Sequence, residues 1–169
     1  MSWRQKLTEA REALAKAQVQ GGRYTFRASS LLDQTIELAL KAGSCKGIVD
    51  AGHGFCDLAA MQSGGQYTFR AARAFDRAQS LATSQRSWQW CMAAGWGFFR
   101  LAQMQQGGAY TFKAARAFDA AFSCARHARS AEGCEEAASG FDALASMQGG
   151  GRYSHKARAC RAEARRLRN

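Results

Sequence analysis

The chain has 169 residues, 24 Lys and Arg against 13 Asp and Glu, a net charge of +11, 17 Gly, six Cys and no Pro. That length suits one ordinary domain, and the charge points to an acidic partner: nucleic acid, an acidic protein surface or an anionic membrane. No apolar run approaches the roughly 18 residues that span a bilayer, and no secretory leader is visible, so a cytoplasmic protein without a membrane partner is expected.

The first segment, near Trp3 to Gln18, is amphipathic, with Arg4, Lys6, Arg11 and Lys16 spread along it and Thr8 as an expected N-cap. Gly21-Gly22-Arg23-Tyr24-Thr25-Phe26 follows. Its text returns as Gly64-Gly65-Gln66-Tyr67-Thr68-Phe69, as Gly107-Gly108-Ala109-Tyr110-Thr111-Phe112 and, degenerate, as Gly150-Gly151-Arg152-Tyr153-Ser154-His155. The interval is 43 residues each time, without insertion or deletion. A fixed period in this range is the mark of a repeat array and leaves little chain for a separate catalytic domain. The units are about 1–43, 44–86, 87–129 and 130–169 of one helical-repeat domain.

Each unit carries two helical patterns. In the first, Phe55, Leu58 and Met61 align with Phe98, Leu101 and Met104 and with Phe141, Leu144 and Met147, a helical stripe that ends at the Gly-Gly pair. The second starts at Thr25, Thr68, Thr111 or Ser154, hydroxyl residues suited to N-caps. It continues as Ala71, Ala74, Phe75 and Ala78, then as Ala114, Ala117, Phe118 and Ala121. Arg73 and Asp76, like Arg116 and Asp119, are spaced to pair on the outer face. Turns are expected at the Gly-Gly pairs and near Gly43, Arg86 and Arg129. The fold class that follows is all-α: an αα-hairpin solenoid of four 43-residue repeats and about eight helices, with polar terminal units as caps. The capping departures are Glu12 and Ala15 in the first helix, where later units have Phe and Leu, and His155 and Arg161 in the last, where inner units have Phe.

Cys91 and Cys134 occupy the place held by Ile48, and Cys124 that of Leu81. Together with Cys45, Cys56 and Cys160 they read as reduced, buried thiols.

Phe55, Leu58, Ala59, Ala71, Phe75 and Ala78 resemble the tetratricopeptide signature, and Phe98, Leu101, Ala102, Ala114, Phe118 and Ala121 repeat it. The last unit keeps Phe141, Leu144, Ala145, Ala157 and Ala164; the first keeps Ala28. The period of 43 exceeds the usual 34 or so, and no Pro closes the second helix. The resemblance implies a protein-binding scaffold whose first helices line a concave groove. Its alignment puts His53, Cys56 and Ala60, then Trp96, Phe99 and Gln103 with Arg100 alongside, then Ser139, Asp142 and Ser146, on that groove.

A second candidate surface is the C-terminal helix. Arg158, Arg161, Arg165 and Arg168 form one stripe, with Arg152, Lys156 and Arg166 adding charge. Tyr153, Ala157, Cys160, Ala164 and Leu167 form a separate packing stripe. A phosphate backbone or an acidic protein would suit the basic one. Catalytic signals are weak. His53, Cys56 and Asp57 share a turn without a specific metal pattern, Gly43 to Gly47 lacks Walker A spacing, and no G-x-S-x-G occurs. The expected function is a non-enzymatic protein–protein interaction module (adaptor, chaperone or inhibitor) without cofactor or metal. The alternative is an RNA- or DNA-binding helical repeat.

Overall fold

A computed structural model describes residues 2–62, 65–105, 108–149 and 151–169. Eight helices run through them: α1 (Trp3–Gln20), α2 (Arg23–Lys41), α3 (Cys45–Met61), α4 (Gly65–Ser84), α5 (Trp88–Met104), α6 (Gly108–His127), α7 (Ala131–Gln148) and α8 (Arg152–Arg168). No strand occurs among the described residues. The all-α expectation and its helix count therefore hold, and the helix boundaries reveal the local chemistry.

Two kinds of turn alternate. The α2–α3, α4–α5 and α6–α7 turns are one motif built three times. Gly43, Arg86 and Arg129 each sit at positive φ (63°, 53° and 52°). Their N–H groups donate to Leu40, Thr83 and Arg126, and the next residue's N–H reaches back to Ala39, Ala82 and Ala125. This is a Schellman closure of the outgoing helix. That next residue is Ser44, Ser87 or Ser130, which also caps the incoming helix. Its Oγ accepts from Gly47 N (3.3 Å), Trp90 N (3.5 Å) or Gly133 N (3.0 Å). Turns are expected at these places, and the serine that follows each one recurs at the same 43-residue period.

The other turns carry the Gly-Gly text, of which Gly64, Gly107 and Gly150 lie outside the described residues. At the first, Gly21 and Gly22 both have positive φ, which only glycine adopts at little cost. The expected threonine caps are corrected here. α2 begins two residues before Thr25, and α4 and α6 begin three before Thr68 and Thr111. All three threonines are buried inside the first turns. α8 likewise starts at Arg152, not after Ser154. Thr8 is no cap either: Ser2 closes a capping box with Gln5, and Thr8 Oγ1 bonds back to Arg4 O. The Gly-Gly end of α3 and α5 is also shifted, because their C-caps are Gln62 and Gln105.

The chain forms two compact units, 1–78 and 79–169. In the first, α1 packs on α2 and α3, and α2 on α3. Leu7, Leu14, Leu32, Ile48, Phe55, Leu58 and Phe75 are buried there. Trp3 lies against Gly47, where an added Cβ would meet its ring at 2.9 Å. In the second, α5 and α6, α6 and α7, and α7 and α8 pack in turn, and α5 also meets α7. Phe98, Leu101, Phe118, Phe141 and Leu144 are fully enclosed. Full burial of such a side chain contributes about 1.5–3 kcal/mol. Alanines fill most remaining contacts and let the helices approach closely. Mid-helix glycines extend this: Gly140 faces the Phe118 ring, three of whose atoms lie 2.8 Å from where a Cβ would stand. Glycine therefore acts inside these helices as well as in their turns.

One capping expectation needs correction. Phe26, Phe69 and Phe112, the counterparts of His155, are exposed rather than packed. Replacing them by His155 costs the terminal unit no core. Arg161 does replace a core residue, since Leu32, Phe75 and Phe118 at its position are fully buried.

Candidate interaction surfaces

The aromatic face of α5 begins with Trp96. Its indole meets Phe99 edge-on at 5.5 Å and Phe118 edge-on at 5.3 Å. Trp96, Phe99 and Arg100 are each half-buried, and Gln103 is exposed. Trp96 thus leans on the core with one edge and offers the other, and Phe99 extends that surface. On α7, Ser139 and Ser146 are exposed, while Asp142 is half-buried and receives Arg161 of α8. In the first unit, His53 is half-buried and edge-on to Phe75 at 5.2 Å, and Ala60 is exposed. Cys56 is the correction. It is fully buried, so its side chain offers nothing to a partner. No group of three or more His, Cys, Asp or Glu among the described residues is arranged to hold a metal ion.

The α8 stripe divides into two kinds of arginine. Arg161 bonds Asp142 and lies 4.0 Å from Glu135, and Arg168 lies 3.5 Å from Glu135. Both turn back onto α7. Arg166 grips Glu163 through two bonds of 2.8 and 2.7 Å, and Arg126 of α6 adds a third contact at 3.5 Å. The Arg166 hydrogen bond, with the Arg126 charge behind it, pulls the Glu163 carboxyl down to about 2. Lys156 pairs with Asp119. Arg152, Arg158 and Arg165 are exposed and make no ion pair among the described residues. The basic surface is therefore narrower than the sequence stripe.

Asp119 reaches Lys156 rather than Arg116, and Asp33 reaches Arg70 at 2.7 Å. Both pairs join consecutive second helices across 37 residues. Burial pushes the Asp33 carboxyl upward, against the pull of Arg70. The same basic position covers a core ring from outside: Arg70 lies over Phe55, Lys113 over Phe98 and Lys156 over Phe141. Arg73 lies over the Phe69 ring. Sequence spacing could not anticipate these pairs, because they depend on which helices adjoin.

All six cysteines are buried thiols without a disulfide. Burial pushes the Cys45 and Cys134 thiols up, and that of Cys160 to about 12. None of these three is poised as a thiolate nucleophile at neutral pH.

No protein-family model matches the chain, and no curated protein does. Solved structures do. The protein of the DHF119 filament superposes with a TM-score of 0.81 at 15% identity, over 98% of this chain and 92% of that one. The de novo designed helical repeat protein DHR64 gives 0.63 at 19% identity, over the same 98% and 92%. The DHF38 filament protein gives 0.59 at 17%, again over 98% and 92%. Identities this low carry the fold alone. The chain has the all-α, helical-hairpin solenoid class of fold, and its function has to be argued from its own surfaces.

Proposed function

We propose that the chain is a non-enzymatic protein–protein interaction module of tetratricopeptide-like type, acting as an adaptor, chaperone or inhibitor. The observation that carries this reading is the pair Trp96 and Phe99, two large aromatics half-buried on one face of α5 beside Arg100. Aromatic and Arg clusters of this kind are common interface anchors. The tetratricopeptide comparison is supported by the signature residues lying in the core: Phe55, Leu58, Ala71, Phe75 and Ala78, and again Phe98, Leu101, Ala114, Phe118 and Ala121. The six reduced thiols suit a cytoplasmic setting.

A second reading, RNA or DNA binding, is favoured by one observation: Arg152, Arg158 and Arg165 stand exposed without an acidic neighbour in contact among the described residues. Affinity purification from cells, with and without nuclease, separates the two. For a protein partner, Trp96→Ala weakens capture, nuclease leaves it unchanged, and the helical spectrum is kept. For nucleic acid, nuclease and Arg158→Glu with Arg165→Glu both abolish capture, whereas Trp96→Ala leaves it intact. Loss of helicity in Trp96→Ala would assign that residue to the core and remove the support for an α5 interface.

A further inference from the structure

The net charge is not spread along the chain. Four windows around the Gly-Gly turns, residues 13–32, 58–75, 101–118 and 143–162, contain none of the 13 acidic residues and eleven of the 24 basic ones. The rest of the chain sums to zero, although Arg70, Lys156 and Arg161 inside the windows pair with Asp33, Asp119 and Asp142 outside them. The exposed large hydrophobics have the same address. Val19 (84%), Phe26 (77%), Phe69 (60%), Met104 (37%) and Phe112 (56%), all such residues among those described, fall inside them. Arg70, Lys113, Lys156 and Arg161 serve the fold through ion pairs or by covering core rings, but the exposed apolar tips lie outside the core. The first turns of α2, α4, α6 and α8 have no acid, and α2 and α8 begin on Arg23 and Arg152, against the helix dipole.

Consecutive helices joined by short turns alternate in direction. Within unit 1–78 the α1–α2 and α3–α4 turns therefore share one end, which presents Val19, Phe26 and Phe69 with Lys16, Arg23 and Arg73. Within unit 79–169 the α5–α6 and α7–α8 turns likewise share an end, with Met104, Phe112 and Arg116.

We infer that these Gly-Gly ends dock on an anionic lipid bilayer, with the apolar side chains in the headgroup–acyl boundary and the Lys and Arg among the headgroups. Apolar residues beside basic ones are what interfacial binding requires. Val19 and Met104 favour lipid over nucleic acid, because bases stack on rings and an aliphatic tip offers none. Scattered tips also suit a fluid surface, which needs no complementary pocket for each. No helix among the described residues is long and apolar enough to cross a membrane, and the contact inferred is with the bilayer surface. This departs from the expectation of no membrane partner.

The test is co-sedimentation with phosphatidylcholine vesicles, with and without phosphatidylserine, and a single-stranded oligonucleotide binding assay alongside. The protein sediments with the anionic vesicles, not with the neutral ones, and high salt releases it. Phe26→Ser, Phe69→Ser and Phe112→Ser together keep the charge and the helical spectrum but lower partitioning by about tenfold or more. Phe→Leu at the same three sites keeps most of it. Absence of wild-type sedimentation with anionic vesicles would overturn the inference. So would a serine variant that binds as wild type, or leucine and serine variants that fail equally. Oligonucleotide binding that depends on the three rings, without vesicle binding, would reassign the surface to nucleic acid. Should the serine variant not fold, the leucine variant and Val19→Ser still decide. Trp96→Ala binds vesicles normally, so failure here is distinguishable from failure of the α5 interface.

Discussion

Arg129→Gly should stabilise the protein, although arginine is larger, charged and a better helix former. The three Schellman turns provide an internal control. Gly43 N bonds Leu40 O at 3.0 Å and Ser44 N bonds Ala39 O at 2.8 Å; the corresponding distances at Arg129 are 3.0 and 2.9 Å. The φ values are 63° and 52°. The turns match, so what differs is the residue asked to adopt the left-handed conformation. A Cβ there costs about 1–2 kcal/mol. Glycine gives back about 0.5–1 kcal/mol through the greater freedom of its unfolded chain. The net gain is about 0.5–1 kcal/mol, worth roughly 2–4 °C in a chain of this length for each kcal/mol. Arg129 is exposed and makes no ion pair among the described residues, so little else is lost. Urea titration followed by circular dichroism reads the change directly, with the slope checked for constancy. Arg86→Gly should repeat the gain, and Gly43→Ala should lose a similar amount. Destabilisation by Arg129→Gly, or indifference to Gly43→Ala, would refute the reasoning.

Two further predictions test the packing and the electrostatics. Gly140→Ala brings a methyl within 2.8 Å of the enclosed Phe118 ring, so overpacking of about 1–3 kcal/mol outweighs the gain of about 1 kcal/mol in helix propensity; the urea midpoint should fall. A neutral or raised midpoint would show that the ring has room. Glu163 is depressed in the folded chain to about 2 from a usual 4.5. Its contribution is complete above the unfolded value and is lost as pH falls from about 4.5 towards 2. Glu163→Gln should flatten the stability profile in that window, and an unchanged acid profile would contradict the pairing.

The fold was legible because the period is unbroken. Each phenylalanine, leucine and alanine of the apolar stripes is echoed at a known position, so local ambiguity in one unit is resolved by the next. Phe55, Phe98 and Phe141 are all fully buried, as their shared stripe implies. The errors have a common origin in rules applied one residue at a time. Thr25, Thr68 and Thr111 satisfied the composition of an N-cap, but the helices had already started and the hydroxyls were taken inside. Cys56 satisfied an alignment to a groove and is fully buried. Asp119 was matched to the nearest arginine on its own helix, whereas the neighbouring helix placed Lys156 closer. Helical periodicity says which face a residue shares and not which helix that face will meet.

The last unit shows how much a single replacement can alter a reading based on charge. At the position of Arg161, the other units bury Leu32, Phe75 and Phe118. An arginine there cannot be enclosed without a counter-charge. Asp142 and Glu135 of α7 provide it, and Glu135 takes Arg168 as well. Half of the four-arginine stripe is thereby committed to holding α8 against α7. The residues available to a partner are the other half, Arg158 and Arg165, with Arg152 at the start of the helix. Reversing all four charges would confound two roles, since glutamate at 161 would face Asp142 and Glu135 and loosen the terminal hairpin. Reversing Arg158 and Arg165 alone leaves those contacts in place, so a change in binding can be read as recognition and not as damage to the fold.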